Sequence, residues 1–397
     1  MKRTLSLLGA SLALAACTDP VGPPRSEASP ATVLTARELF ARYVAMGTSN
    51  SMGVLSAGIS AAGQRTAWPA QLAGRAGAAF SIPLVQDPGC SPPLIAPLAA
   101  DAALAGAFGG DLVTTVMTTC APLREGITLP ANNVAISGAN VHDALHETVE
   151  SRGGSGTRVG TLYSRVLPPG QTQVTAMLAQ HPSFVSVELA ANDVLPASTG
   201  RVSAMTPYAD WQADYDQVVD AVRSTGARAV LVGLPDDAAK FPSVRSAREL
   251  FSQWPYLLGL GIKVSAACRA SPNQLFVPGY LLTLVSGAPA TATCADVPGA
   301  VDYVLTPADI AAINARMAEI NAHIQAKAAE SGYAYFALSS LYDLPRPRFS
   351  VKDVLFSGAP FGPDISLDGV HPSARGQGIL AAAAARAIEA RYGVAIP

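Results

Sequence analysis

The stretch Tyr43-Val44-Ala45-Met46-Gly47-Thr48-Ser49-Asn50 sets the reading of the whole chain. Four apolar residues in a row end at a glycine, the form of a short parallel strand buried on both faces. The form recurs. Asn133 to Ser137 is apolar and also stops at a glycine, Phe184 to Ala191 is a third run, Arg228 to Leu234 a fourth and Tyr333 to Leu338 a fifth. Helical patterns lie between them. Tyr208 to Ser224 places apolar residues at helical spacing. Thr306-Pro307-Ala308-Asp309 supplies an N-cap, a first-turn proline and an acidic capping partner for a helix running to Gly332. Ala374 to Tyr392 forms a last helix, with Gly393 just beyond its end. Alternation of this kind predicts an α/β fold, a three-layer α/β/α sandwich around a central five-stranded, mainly parallel sheet.

Two stretches exceed what the alternation requires, residues 54–130 and 240–300, and are read as insertions that decorate the sheet. The second contains the apolar runs Trp254-Pro255-Tyr256-Leu257-Leu258 and Tyr280-Leu281-Leu282, material for the wall or lid of a pocket. The bulk numbers agree with a globular chain. Of 397 residues, 49% are apolar and 14% charged, enough for a large core and too few charges for a disordered polymer. A net charge of −2 offers no field for nucleic acid, which is excluded as a partner.

The N-terminus reads as a leader. Lys2 and Arg3 precede the apolar stretch Leu5 to Ala13, too short to span a bilayer comfortably, and Leu14-Ala15-Ala16-Cys17 follows. That ending resembles a bacterial lipobox, which implies a signal peptide over residues 1–16 and a lipidated Cys17. A tether rich in Pro, Ser and Ala then extends over residues 17–36, ahead of one domain over residues 37–397. The expected location is the cell envelope, with the membrane a partner through the lipid anchor and the protein otherwise monomeric. Export bears on the remaining cysteines. Cys90, Cys120, Cys268 and Cys294 are an even set in an oxidising compartment, and of their three possible pairings sequence proximity favours Cys90–Cys120 and Cys268–Cys294. Each would close a loop worth roughly 3 kcal/mol in the chain-entropy account.

A serine needs a base to remove its proton, and the base needs an orienting group. The chain has only five histidines. His371 lies in Asp368-Gly369-Val370-His371-Pro372, where a tight turn at Gly369 would let Asp368 reach the imidazole. Ser49 follows the first strand, at the carboxyl end where open parallel sheets bind ligands. A second candidate cluster is His142-Asp143-Ala144-Leu145-His146-Glu147. On a helix its two histidines share one face at the spacing of zinc proteases, but Asp143 replaces the usual Glu and no third ligand is evident, so the expectation is no metal and no cofactor. His181 and His323 read as solvated.

Four blocks together resemble the SGNH (GDSL-type) hydrolase family, in the family's order. They are Tyr43 to Gly53 around Ser49, Asn133 to Asn140 with Gly138, Glu188 to Leu195 with Asn192 and Asp193, and Asp368 to Pro372. The resemblance covers about residues 40–395. It implies a flavodoxin-like fold and a carboxylic ester hydrolase working through an acyl-enzyme. Ser49 would be the nucleophile, His371 the base and Asp368 its orienting partner. The N–H groups of Ser49 and Gly138 and the amide of Asn192 would form the oxyanion hole, where losing one donor costs about 2.7–4 kcal/mol of barrier. Two residues depart from the family. Thr48 stands where Asp is usual, a change of loop support, and Ala190 stands for a usual Gly, which would add a methyl near the oxyanion hole. The expected substrate is a small-molecule or glycan ester, either a lipid or short-chain ester or an acyl (acetyl) group on polysaccharide. A non-catalytic surface lipoprotein that keeps the fold as a binding module, and a metal-dependent hydrolase using His142 and His146, are the readings from other classes.

Overall fold

The computed structural model describes residues 34–98, 120–286 and 291–397. Cys17, the leader and most of the tether lie outside these residues. Strands β1 (Tyr43–Gly47), β2 (Phe184–Glu188), β3 (Arg228–Gly233) and β9 (Ala334–Ala337) form one parallel sheet in the order β1-β2-β3-β9. Register runs from Tyr43 opposite Phe184 to Gly47 opposite Glu188. The remaining strands are short: β4 (Val244–Ser246), β5 (Lys263–Val264), β6 (Gln274–Phe276) and β7 (Thr291–Ala292) lie in the second insertion and β8 (Val304–Leu305) just after it.

The sequence predicts five central strands, and four are regular. The missing one, residues 132–136, does run parallel along the outer edge of β1. Ala45 donates to Asn132 O at 2.9 Å, Val134 to Ala45 O at 2.9 Å and Ile136 to Gly47 O at 3.0 Å. The ladder breaks at Gly47, whose N–H donates to the side-chain oxygen of Gln173 at 3.1 Å instead of to the neighbouring backbone. With this segment included, the spatial order of the five in chain sequence is 2-1-3-4-5, the flavodoxin-like arrangement.

Period-two alternation explains the layers. Tyr43, Ala45, Phe184, Val230, Val232, Ala334 and Phe336 point to one core, shared with Trp68, Leu72, Leu380, Ala384 and Ile388. Val44, Met46, Val185, Val187, Ala229 and Leu231 point to the other, shared with Val141, Trp211, Val218, Ile320 and Ile324. One face is therefore covered by helices Trp68–Arg75 and Ala374–Tyr392, the other by Val141–His146, Tyr208–Ser224 and Pro307–Ser331. The long helix begins where the sequence places it. Thr306 and Asp309 cap each other reciprocally, and Gly332 ends it in a left-handed conformation at φ 71°. No helix among the described residues is long and apolar enough to cross a membrane.

The insertions carry the two disulfides, Cys90–Cys120 and Cys268–Cys294, the pairing that sequence proximity favours. β4 and β6 of the second insertion and β8 just after it form a small antiparallel sheet with Val244 opposite Phe276 and Leu275 opposite Val304. In the first, the chain leaves β1 through Ser49–Met52 and passes through Ser56 and Ala57, both at positive φ, before its helices begin.

Candidate active site

Strand β1 ends directly in the short helix Ser49–Met52, so Ser49 sits at a helix start with its N–H outside the intrahelical ladder. What holds this turn is a buried carboxylate on the adjacent strand. Glu188, the last residue of β2, is 2% exposed. It accepts from Thr48 N–H at 3.1 Å, Thr48 Oγ1 at 2.9 Å, Ser51 N–H at 3.2 Å and Ser51 Oγ at 2.9 Å. Trp68 Nε1 donates to Ser51 Oγ at 3.1 Å, which leaves the serine proton for Glu188. Burial raises the Glu188 carboxyl above its usual range, and the hydrogen bonds from Thr48 and Ser51 oppose that shift. The family's usual Asp is absent at position 48, yet a carboxylate still lies beneath the loop, supplied by β2 and reached by the Thr48 hydroxyl. Gly47 leaves room for it, since a Cβ there would lie 2.5 Å from Ser51 Oγ and 3.1 Å from Glu188 Oε2. The helix carbonyls are held too. Gln377 donates to Asn50 O at 3.0 Å and Asn133 to Ser51 O at 2.8 Å.

His371 and Asp368 are joined as their spacing suggests, with Nδ1 and Oδ2 2.8 Å apart. The turn depends on Gly369 at φ 73°, where a side chain would run into the Phe361 ring. Asp368 Oδ1 also accepts from Val370 N–H and His371 N–H, both at 2.9 Å, and from Ser366 Oγ at 3.0 Å. Its Oδ2 takes a further bond from Ala57 N–H at 2.5 Å. Burial alone would raise this carboxyl. The charge of His371 and the hydrogen bonds from His371 and Val370 outweigh it and bring the group down to about 2. Ala57 is a contributor that sequence reasoning missed, because a backbone N–H leaves no trace in residue type. Ser56 fastens the same two loops, donating its N–H to Ser366 Oγ at 3.0 Å and accepting from Leu367 N–H at 3.3 Å.

The third group of residues lies across the carboxyl end of β2. Asn192 donates one amide hydrogen to Ala139 O at 2.8 Å, and the second has no acceptor among the described residues. Ala139 N–H closes a turn onto Ile136 O at 3.2 Å, with Gly138 at φ 82° inside it. Among the described residues no acceptor is recorded for the Gly138 N–H. Asp193 is 1% exposed and accepts from Val141 N–H at 3.2 Å. Burial pushes its carboxyl up to about 7, and it acts from beneath the site as a support for these turns. Ala190 is 2% exposed and part of the core, so the methyl that replaces the family's usual glycine packs inward and does not line the cleft.

Ser49, Asn192 and His371 line one cleft. Its other walls are apolar, including Leu195, Leu234, Phe241, Val244, Phe276, Leu305, Ile313 and Met317. Gly138 is not itself a lining residue and meets the cleft through the Asn192–Ala139 bond. The two histidines of the second cluster stand apart from this cleft. His323 is less solvated than its sequence context suggests, with its side chain 12% exposed and Nε2 2.7 Å from Asp216.

Sheet, cleft and polar set together define an ester-cleaving enzyme of the α/β/α class. The chain belongs to the GDSL-like lipase/acylhydrolase family, whose model matches residues 43–384, and it is a hydrolase acting on ester bonds. Among solved structures it is similar to a putative GDSL-like lipase from Parabacteroides merdae, at 11% identity and TM-score 0.36, covering 87% of this chain and 94% of that one. It is also similar to an extracellular lipase from Streptomyces rimosus, at 17% identity and TM-score 0.35, covering 86% and 98%. A third is a variant of an acetyl-xylooligosaccharide esterase from Geobacillus, at 12% identity and TM-score 0.35, covering 88% and 93%. No curated protein matches the chain at a significant level. At these identities and scores the structural likenesses carry no argument about substrate.

Two outcomes follow from the carboxylates. Glu188→Gln keeps one acceptor oxygen but replaces the other with an NH2 that only the Thr48 or Ser51 hydroxyl can meet, so the turn loosens and kcat should fall at least about 10-fold, with a stability loss of about 1–3 kcal/mol; unchanged kcat and urea midpoint would remove Glu188 from this role. Asp368 has a folded value below its ordinary 3.8, so its stabilisation is present above that range and is lost as pH falls toward about 2. The gap in urea midpoint between wild type and Asp368→Asn should therefore be open at pH 6 and narrow steadily below about pH 4; a gap independent of pH would contradict this.

Proposed function

We propose that the protein is a serine carboxylesterase that cleaves esters of apolar acyl chains through an acyl-enzyme. Ser49 attacks the carbonyl, and His371 takes its proton and returns it to the leaving alcohol. Asp368 holds the imidazole by Nδ1 and stabilises its charged form. The oxyanion is met by the N–H groups of Ser49 and Gly138 and by the free hydrogen of the Asn192 amide. The observation that carries the substrate reading is the cleft. Beside Ser49 and His371 its lining is largely apolar side chains, several of them aromatic or branched. A hydrocarbon chain gains about 0.8 kcal/mol for each methylene buried in such a site, whereas a glycan would find few hydrogen-bonding partners there.

A fluorophosphonate probe should label the wild type and leave Ser49→Ala unlabelled; equal labelling of both would exclude Ser49 as nucleophile. Over a series of p-nitrophenyl esters, kcat/KM should rise several-fold for each two methylenes until the cleft is filled, then fall. A preference for acetate, with release of acetate from acetylated xylan, would assign the polysaccharide reading instead.

We further propose export with lipid attachment at Cys17. The leader pattern supports it, as does the presence of two disulfides, which persist in oxidising compartments. Cys17→Ala should move the protein from the membrane fraction to the soluble one; an unchanged distribution would exclude the anchor.

A further inference from the structure

The paired histidines singled out in the sequence gain in the fold the third ligand that the sequence did not offer. His142 and His146 lie one turn apart on helix Val141–His146, with ring centroids 4.4 Å apart. Helix Tyr208–Ser224 packs against it and brings Asp214 to both rings. Asp214 Oδ2 lies 2.9 Å from His142 Nδ1, and Oδ1 lies 3.6 Å from His146 Nε2. One ligand atom from each residue falls within 4.8 Å of the other two.

We propose that His142, His146 and Asp214 form a site for a divalent transition-metal cation, of which zinc is the best fit. Tetrahedral zinc with ligand bonds of about 2.0–2.2 Å needs its ligand atoms about 3.3–3.5 Å apart. Asp214 lies 2.9 Å from one imidazole and 3.6 Å from the other through its two oxygens, and the three ligand atoms fall within 4.8 Å of one another, so side-chain rotation alone brings them to that edge. Two imidazoles and one carboxylate suit a borderline cation and suit calcium or magnesium poorly. Charge also favours it. The neighbouring carboxylates Asp143 and Glu147 are paired with Arg152, while among the described residues Asp214 has no lysine or arginine partner. Both imidazoles are about half exposed, which gives an ion free entry and leaves a fourth position for water.

The site is a brace, separate from the ester chemistry. Helix Val141–His146 starts at Asn140, directly after the Gly138–Ala139 turn to which Asn192 is bonded, so an ion here would fasten that turn to helix Tyr208–Ser224. The test is equilibrium dialysis of the purified protein against zinc chloride after chelator treatment. One zinc per chain is expected for the wild type. His142→Ala and His146→Ala should each weaken binding at least about 10-fold, and Asp214→Asn should do so as well. Zinc should raise the melting temperature of the wild type by a few degrees and leave the histidine variants unmoved. Chelator-treated wild type should keep its ester hydrolysis. Absence of retained zinc, or retention that survives all three substitutions, would overturn the site; activity lost on chelation and restored by zinc would overturn its role as a brace.

Discussion

The buried Glu188 carboxylate is the constraint on which the turn after β1, and with it the placement of Ser49, depends. Taking such a group out of water is unfavourable unless its oxygens are met by donors. Here four donors from Thr48 and Ser51 converge on it, and these two residues flank the position that must present Ser49. Only glycine fits at position 47, because any side chain there would occupy the space of the Ser51 hydroxyl. Position 188 faces position 47 in the sheet register, so the same pairing that builds the parallel sheet delivers the carboxylate.

From that anchor outward, the site is assembled by contacts that cross the chain. Gln377 of the last helix holds Asn50 O and also accepts from Trp68 N–H, joining three separate parts of the sequence. The His371 loop is closed by Ser56 and Ala57, at the very start of the first insertion. An insertion that looks like decoration in the sequence thus begins by supporting Asp368.

The sequence was informative where a signal is local. The runs at Tyr43, Phe184 and Arg228, the Thr306/Asp309 capping pair and the Asp368-Gly369-Val370-His371 turn are all set by neighbours within a few residues, and the structure follows them closely. The edge segment 132–136 is the partial exception. Its apolar pattern is that of a strand, but Gln173, far along the chain, captures the N–H of Gly47 that would complete its ladder. Other features were hidden for related reasons. Glu188 reads as the end of an apolar run, since its partners are 140 and 137 residues away. Asp214 is 72 residues from His142 and meets it only when two helices pack. Ala57 contributes a backbone group, for which residue identity is nearly silent.

The small sheet of β4, β6 and β8 has a consequence for the history of such an enzyme. Val244 and Phe276, paired across two of its strands, face the same cleft as Ser49 and His371, yet neither belongs to the parallel sheet from which Ser49 follows. On the proposed mechanism, reaction and selectivity would thereby be inherited on different stretches of chain. A lineage can lengthen, shorten or exchange residues 240–300 and acquire a new diet while the hydrolytic frame passes on unaltered.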